Sequence, residues 1–207
     1  MSEKMWHKRF FSRRHKMREE DGNTACGIGS SVSNTEEVRA FIACTIAGLK
    51  VTSICDCPCG DFSWMRLVDL SGIAYTGWDI VSSLIAENKV RYPEHTFEAH
   101  DVVQDVPPKV DVILSRDFLI HLSNADAKRA LNNFKASGSK YLLISTYPDV
   151  KDNGELNRKG PIPYRPYNLE LAPFNLGPPV CYVKEKSNAA CVGRIVALYR
   201  LNDEAKL

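Results

Sequence analysis

The chain has 207 residues, 44% of them hydrophobic and 25% charged, with a formal net charge of +2. This near-average composition excludes a disordered or fibrous protein, and the length predicts one well-buried domain. No apolar run is long enough to span a membrane, and the first residues lack the apolar core of a signal peptide, so the sequence predicts a soluble, cytoplasmic protein. It makes no prediction about the oligomeric state.

The first predicted segment, residues 1–33, is a basic amphipathic arm that ends in a glycine-rich turn. Trp6, Phe10 and Met17 recur in it at roughly helical spacing beside a basic face. This N-terminal arm carries the excess of positive charge, whereas the rest of the chain is close to neutral. We predict a helix packed on the domain, and the alternative is an arm that binds nucleic acid or an acidic surface.

Residues 34–207 are predicted to form one α/β domain that begins with a helix near 35–48. The predicted strands are the apolar, β-rich runs 51–55, 73–78, 95–99, 110–115, 140–146, 180–186 and 191–201. The predicted helices between them are 62–72, 81–92 and 124–138. This alternation is typical of a parallel sheet covered on both faces, and the short link between the last two runs indicates a hairpin. The predicted fold is a doubly wound, mostly parallel, Rossmann-like sheet of about seven strands with a C-terminal antiparallel hairpin.

The segment 147–179 interrupts this alternation. It contains seven of the eleven prolines and is long for a structureless connection in a compact domain, which indicates a functional loop. Proline lowers the conformational freedom of a chain before any ligand arrives. We predict a stiff ligand-binding loop, and a rigid surface wrap is the alternative.

The turn after the first strand reads ICDCPCGDFSW and contains three alternating cysteines. A zinc site normally uses two ligand pairs, and no second pair lies near these cysteines, so we predict no metal site. The strand is expected to end at Asp56, and Gly60 lets a ligand approach the backbone. Asp61 is the predicted N-cap of the helix at 62–72.

This turn resembles the first motif of class I S-adenosylmethionine-dependent methyltransferases, in which a strand that ends in an acidic residue is followed by GxGxG. Asp56 matches the acidic residue and Gly60 the central glycine, whereas Pro58 and Phe62 stand where the common form has glycines. The chain is more similar to a subgroup that reads D-x-P-C-G-D-F at this turn. The resemblance runs from about residue 22 to the end of the chain.

Two further motifs of that subgroup match this sequence. An upstream G-x-G-S corresponds to Gly27, Gly29 and Ser30. A downstream R-P-x-N-L…P-F-N corresponds to Arg165, Pro166, Asn168, Pro173, Phe174 and Asn175. The resemblance implies that the cofactor is S-adenosylmethionine and that residues 147–179 form an acceptor loop.

The resemblance also implies which residues contact the cofactor. Asp79, at the end of the second strand, would accept hydrogen bonds from the ribose hydroxyls, and its alternative role is to cap the helix at 81–92. Asp101, at the end of the third strand, would bind the adenine amino group, and a solvated loop residue is the alternative. The other predicted cofactor contacts are Asp56, Cys59, Gly60, Val102 and Ser115.

The candidate catalytic residues, Asp117 and His121, follow the fourth strand. They are four positions apart and would share one face of a helical turn, and an imidazole supplies a base that titrates near neutral pH. A buried structural histidine is the alternative for His121, and orientation of a reactive sulfonium can supply most of the rate without any base. The predicted substrate contacts are Arg116, Arg165, Asn168 and Asn175.

We therefore predict an enzyme that transfers a methyl group from S-adenosylmethionine to a small-molecule or sugar-like acceptor, with oxygen slightly favoured over nitrogen. A nucleic-acid methyltransferase that uses the basic arm is the first alternative, although the near-neutral body lacks the charge that a groove for phosphates needs. A non-catalytic partner subunit with a methyltransferase fold is the second, because two glycines of the first motif are replaced.

Overall fold

A computed structural model of the protein describes Ser12 and residues 26–156, 164–186 and 192–201. Apart from Ser12, the predicted helix of the N-terminal arm lies outside these residues. No helix within them is long and apolar enough to cross a membrane.

The strands are β1 (Ser53–Asp56), β2 (Ala74–Asp79), β3 (Thr96–Ala99), β4 (Val112–Ser115), β5 (Tyr141–Thr146), β6 (Cys181–Lys184) and β7 (Ile195–Arg200). They form one sheet in the order β3-β2-β1-β4-β5-β7-β6. Strands β1 to β5 pair in parallel, and β7 pairs antiparallel with β5 and β6. The predicted doubly wound, mostly parallel sheet with an antiparallel C-terminal pair is therefore confirmed. The strand order reverses between β1 and β4, which places a crevice at their carboxyl ends.

The sheet carries an apolar core on each face. Neighbouring strand residues alternate between the two cores: Ile113 and Ala197 belong to the first core, and Leu114 and Val196 belong to the second. All four side chains are almost completely buried. Burial on both faces explains why these strands are apolar at nearly every position rather than at every second one.

Between residues 26 and 201, the described parts of the chain contain three α-helices that cover the sheet: α1 (Glu36–Leu49), α2 (Ser82–Arg91) and α3 (Asn124–Ala136). Acidic residues in the first turn of α1 suit the positive end of the helix dipole, and Lys50 ends the helix in a left-handed conformation with φ 51°. Helix α3 begins at Ser123, whose hydroxyl accepts a hydrogen bond from the Asp126 backbone. These local signals explain why α1 and α3 lie close to their predicted bounds, and α2 lies close to its predicted bounds as well.

The helix predicted at 62–72 is wrong, because only a short 3-10 turn, Met65–Leu67, forms there. Phe62 has a φ of 58°, and a left-handed residue cannot begin a right-handed helix. Asp61 accepts a hydrogen bond from the Ser63 backbone in a local turn and caps no helix. The buried Phe62 ring lies 4.9–5.4 Å, between ring centroids, from Tyr75, Tyr92, His95 and Phe97. Aromatic packing therefore overrides the helical pattern.

The proline-rich segment contains no helix or strand in its described part. The Asn153 amide Nδ2 donates to the carbonyl oxygens of Asn168 at 2.8 Å and of Ala172 at 2.9 Å. The Tyr167 hydroxyl donates to the Ser145 carbonyl oxygen at 2.7 Å, which fixes the segment to β5. Buried hydrogen bonds of this kind hold an irregular segment in one conformation.

Gly77→Ala in β2 is expected to lower the free energy of unfolding by about 1–3 kcal/mol because of overpacking. A Cβ atom at Gly77 would lie 2.7 Å from Cδ1 of Phe97 and 3.0 Å from Cβ of Cys59. Urea unfolding measures the change. Gly48→Ala in α1 is the control, since nothing lies within 4 Å of its Cβ position, and it should be neutral or stabilising by up to about 1 kcal/mol. Unchanged stability of Gly77→Ala would contradict the packing argument.

Candidate functional site

Polar side chains gather at the carboxyl ends of four neighbouring strands. Asp56 ends β1, Asp79 ends β2, Ser115 ends β4, and Asp101 follows β3 after one intervening residue. All four residues are buried. Ligands of open α/β sheets bind at this edge. The structure thus brings these sequence-predicted residues to the two sides of the switch point.

The turn after β1 is closed onto Asp79 through Gly60. The Gly60 N–H donates to Asp79 Oδ2 at 3.3 Å, and the Gly60 carbonyl oxygen accepts from the buried Asn88 amide of α2 at 2.8 Å. Gly60 has a φ of 58°, and a Cβ atom there would lie 2.3 Å from the Cys26 sulfur. Both the backbone conformation and the contact therefore require glycine.

Asp79 and Asp101 each hold a local backbone turn. Asp79 Oδ1 accepts from the Val81 N–H at 2.9 Å, and because Val81 is itself the N-cap position of α2, the alternative that Asp79 caps the helix is wrong. Asp101 Oδ1 accepts from the Val103 N–H at 3.1 Å. Val102 is buried in the first core. A buried acid whose carboxylate holds the backbone turn that follows it is thus repeated at β2 and β3.

Asp56 is a buried carboxyl group with one strong partner. It is 1% exposed, and its Oδ2 accepts a hydrogen bond from the Tyr75 hydroxyl at 2.8 Å. Burial raises the pKa of Asp56 to about 8, an effect that the Tyr75 hydrogen bond and Arg116 oppose and that the charge of Asp79 reinforces. At neutral pH the ligand-free group is mostly protonated, and a cation placed against it would favour ionisation.

The three cysteines of the turn do not face one site. Cys55 and Cys57 are buried in the first core, whereas Cys59 is buried in the second. Burial raises the pKa of the Cys57 and Cys59 thiols well above the usual value, which keeps both protonated. In the described part of the chain, no group of three or more His, Cys, Asp or Glu side chains could hold a metal ion.

Two arginines and two acids form a buried ion-pair network next to the end of β4. Glu185 Oε2 accepts from Nη2 of Arg116 at 2.5 Å and from Nη2 of Arg194 at 2.6 Å. Arg194 Nη1 also pairs with both carboxylate oxygens of Asp117, at 2.5 and 2.6 Å. Arg116 Nη2 donates to the Gly29 carbonyl oxygen at 2.8 Å. The network is neutral in sum and joins β4, β7, the residue after β6 and the N-terminal turn.

Arg116, a predicted substrate contact, belongs to this network. Its side chain is only 3% exposed, and its guanidinium carbon lies 5.5 Å from the centroid of the Trp64 ring. The Arg116 guanidinium therefore has protein partners in Glu185, the Gly29 carbonyl oxygen and the Trp64 ring. A contact between Arg116 and a substrate stays a prediction.

The predicted shared helical face of Asp117 and His121 is wrong. Asp117 has a φ of 56°, and a left-handed residue does not continue a right-handed turn. The 3-10 turn Leu119–His121 therefore begins after Asp117 and does not include it. His121 ends that turn and is half-buried. The structure keeps both residues just beyond the end of β4, and their catalytic roles stay predictions.

Two tyrosine hydroxyls lie on the same side of the site. Tyr164 donates to the hydroxyl oxygen of Tyr147, the residue directly after β5, at 3.2 Å. Burial raises the pKa of Tyr147, and the nearby charge of Asp117 adds to the shift. The proline-rich segment therefore meets the ion-pair network at the carboxyl ends of β4 and β5.

The three predicted substrate contacts of the proline-rich segment have different surroundings. Arg165 is buried, its N–H donates to the Ile120 carbonyl oxygen at 2.9 Å, and its Nη2 approaches the Leu122 carbonyl oxygen at 3.4 Å. Asn168 Nδ2 donates to two backbone carbonyls of its own loop, each at 3.2 Å. Asn175 is exposed with a φ of 50°. Substrate contact by each stays a prediction.

Sequence reasoning missed three buried partners of the site: Tyr75, Glu185 and Arg194. Tyr75 carries no signal, because an aromatic residue in a buried strand is common. Glu185 and Arg194 do carry one, since they directly follow β6 and precede β7, where antiparallel pairing places them opposite each other. The Glu185 N–H indeed donates to the Arg194 carbonyl oxygen at 3.2 Å.

No protein-family model matches the sequence, and no curated protein is significantly similar to it. Solved structures do share its fold. The 1,6-didemethyltoxoflavin-N1-methyltransferase of Burkholderia thailandensis is 18% identical, with 98% of this chain and 92% of that chain covered and a TM-score of 0.73. The magnesium protoporphyrin IX methyltransferase of Synechocystis PCC 6803 is 14% identical, with 96% and 99% covered and a TM-score of 0.70.

A third similar structure is the N-methyltransferase NodS of Bradyrhizobium japonicum WM9, which is 12% identical, with 93% of this chain and 100% of that chain covered and a TM-score of 0.67. All three structures contain bound S-adenosylhomocysteine. The protein therefore has the fold of class I S-adenosylmethionine-dependent methyltransferases.

The raised pKa of Asp56 predicts a pH-dependent stability. Its folded pKa of about 8 exceeds the unfolded value of about 4, so the folded state holds an extra proton between these values and the free energy of unfolding falls as pH rises. Relative to Asp56→Asn, the wild-type protein should lose about 1.4 kcal/mol per pH unit between pH 5 and 7. Urea unfolding at several pH values measures the slope.

The exposed Asp69→Asn variant is the control for that slope. Hydrogen bonds from Ser71 lower the pKa of Asp69, so this group is ionised in both states throughout the window and the substitution should leave the slope unchanged. Parallel pH profiles of the wild type and Asp56→Asn would contradict the assignment of the proton to Asp56.

The ion-pair network predicts a large effect of Glu185→Gln. The free energy of unfolding should fall by about 3–5 kcal/mol, because two buried arginines lose their shared charge partner. Lys186→Gln at the next position is the control: Lys186 is exposed, pairs with Glu36 and Glu37 at 3.0 and 3.3 Å, and should have little effect. Equal stabilities of the two variants in urea unfolding would show that burial does not strengthen the network.

Proposed function

We propose that the protein is an S-adenosylmethionine-dependent methyltransferase that acts on a small-molecule acceptor. The observation that carries the proposal is the closure of the first-motif turn onto the second-strand acid, with Gly60 N–H bonded to Asp79 Oδ2 beside the switch point of a methyltransferase fold. Two of the similar structures are named for small-molecule acceptors, a didemethyltoxoflavin and a magnesium porphyrin. The six described cysteines are free thiols, which suits action in the cytoplasm.

The residues present fit the proposed cofactor. Asp79 is an acceptor-only group when ionised and suits a ribose diol, and Asp101 suits an exocyclic amino group next to the buried Val102. Asp56 suits an ammonium group, whose positive charge would compensate the cost of ionising a buried carboxyl. Gly60 and Cys59 would lie along the methionyl part, where the absence of a side chain at Gly60 permits close approach. Ser115 would face the reacting end.

The cofactor supplies an electrophilic methyl group when it is bound. The chain's own residues then hold and prepare the acceptor. His121 is proposed as the base that takes a proton from an acceptor hydroxyl, which favours oxygen slightly over nitrogen. Asp117, whose carboxylate is held by Arg194, is proposed to orient the acceptor. The proposed substrate contacts remain Arg116, Arg165, Asn168 and Asn175.

The domain assignment follows the same proposal. Residues 34–207 would form the methyltransferase domain, with 147–179 as the acceptor loop. The N-terminal turn lies against the first motif, because Cys26 Sγ accepts from the Asp61 N–H at 3.2 Å. The turn of residues 27–31 is proposed to cover the cofactor as a lid together with Trp6, which lies outside the described residues. The nucleic-acid alternative depends on the basic arm, which lies outside the described residues, and stays a prediction.

Calorimetric titration with S-adenosylmethionine and S-adenosylhomocysteine tests the proposal. Micromolar binding, on the order of 8 kcal/mol, is expected for the wild type, and Asp79→Ala should abolish it because the ribose loses its acceptor. Near pH 7, in buffers of different ionisation enthalpy, wild-type binding should release close to one proton, and Asp56→Asn should release none.

Asp69→Ala is the matched control, since it removes an exposed acid that precedes β2 and is not among the proposed site residues, and it should bind like the wild type. Circular dichroism verifies that each variant is folded. Failure of the folded wild-type protein to bind either compound would overturn the enzyme proposal and favour the non-catalytic alternative. Undiminished binding by Asp79→Ala would reject the assigned ribose contact.

A further inference from the structure

We infer that the acceptor side of the site contains an oxyanion subsite formed by Arg165, so that the methyl acceptor carries a carboxylate or a phosphate group. That the bound group belongs to a methyl acceptor rests on the proposed function. The anion-binding property itself depends only on Arg165 and its surroundings.

The Arg165 guanidinium is buried with most of its donors unused. The residue is 7% exposed, and its Nε and Nη1 atoms are enclosed without a hydrogen-bond acceptor in the described chain. Nη2 reaches only the Leu122 carbonyl oxygen, at a long 3.4 Å. An arginine has five N–H donors in a planar fork, and burying them without acceptors is unfavourable. This arrangement favours a ligand that accepts several hydrogen bonds at once.

Arg165 also lacks the charge compensation that the other buried arginines have. The two arginines of the ion-pair network share Glu185 and Asp117, whereas the residues described here include no acid in an ion pair with Arg165. Glu155 acts on it from a distance, while its carboxylate accepts from the Asn124 N–H at 3.3 Å. Burial outweighs this influence and lowers the pKa of Arg165. Apart from the Tyr167 ring, whose centroid lies 5.9 Å from the guanidinium carbon, no described group compensates this positive charge by direct contact.

The position of Arg165 suits an acceptor. Its N–H is bonded to Ile120 in the turn after β4, and the preceding residue, Tyr164, donates to Tyr147 directly after β5. In the sheet order, β4 and β5 lie on the other side of β1 from β2, which carries Asp79. Arg165 is thus at the ligand-binding edge, on the side opposite the proposed ribose contact.

The chemistry of the guanidinium selects the ligand class. Its fork matches the two oxygens of a carboxylate or phosphate through parallel charge-assisted hydrogen bonds. A neutral hydroxyl would satisfy one donor and leave the buried charge uncompensated. An anionic group satisfies both requirements, so the acceptor is expected to be a carboxylic acid or a phosphomonoester rather than a neutral sugar.

Urea unfolding in the presence of small anions tests the subsite in the folded full-length chain. Inorganic phosphate and acetate are the two probes, and potassium chloride at equal ionic strength accounts for general salt effects. At a probe concentration ten times its dissociation constant, the wild-type unfolding constant should fall about elevenfold, and in Arg165→Met this fall should vanish. Arg66→Met removes an exposed arginine and should respond like the wild type.

The outcomes separate the ligand classes and keep the inference testable. A response to acetate alone identifies a carboxylate, and a response to phosphate alone identifies a phosphate. Equal responses of wild type and Arg165→Met to both probes overturn the subsite.

If Arg165→Met does not fold, Arg165→Lys, which keeps the charge but loses the fork, replaces it. The Nε–H resonance of wild-type Arg165 then gives an independent readout: a saturable shift with either probe supports the subsite, and no shift with both overturns it.

The cofactor titration distinguishes failure of this inference from failure of the proposed function. Arg165→Met should bind S-adenosylmethionine as the wild type does, because Arg165 lies on the other side of the switch point. Cofactor binding without anion binding overturns the subsite alone. Anion binding without cofactor binding keeps the subsite and removes the methyl acceptor as its ligand.

Discussion

One buried carboxylate, Glu185, holds together the edge of the sheet on which the proposed site depends. Arg116 and Arg194 approach the same oxygen of this carboxylate from different strands. Two buried arginines cost several kcal/mol each in lost hydration, and only opposite charges and hydrogen bonds can compensate that cost. Because Arg116 also donates a hydrogen bond to the Gly29 carbonyl oxygen, the same network holds the N-terminal turn against the carboxyl ends of the strands. Segments far apart in sequence share one site for this reason.

The first-motif turn shows how a bulky residue can occupy a position where glycine is common. Phe62 keeps the left-handed backbone, which costs an L-residue roughly 1–2 kcal/mol. Burial of a phenyl ring contributes about 1.5–3 kcal/mol, and each aromatic pair adds about 0.5–1.5 kcal/mol, so the packing offsets the strain. Gly60 has no such substitute, because the Cys26 sulfur occupies the place of its Cβ. The replacement at Phe62 is therefore compatible with an intact turn.

The sheet and its three helices could be predicted because their signals are local or periodic. Strands buried on both faces are continuously apolar, and a residue such as Ser123 marks a helix start by itself. The segment 62–72 could not be predicted, since its apolar spacing is the same whether it forms a helix or folds around the Phe62 ring. The positions of the acids at the strand ends, including Asp56, could be predicted from the order of the strands along the chain. Partners such as Tyr75 depend on which strands become neighbours, which no single segment encodes.

The cost of burying an ionisable group is reduced in three ways in this site, and each way follows from the chemistry of the group. Asp56 is an acid that forms no ion pair with any residue of the described chain, and burial holds a proton on it. Arg116 and Arg194 cannot lose a proton near neutral pH, and they are compensated by Glu185 and Asp117 instead. Arg165 can use neither route, because a guanidinium stays charged and the described chain pairs no acid with it. A charge that protonation cannot remove and the protein does not pair is compensated most directly by a ligand of opposite sign.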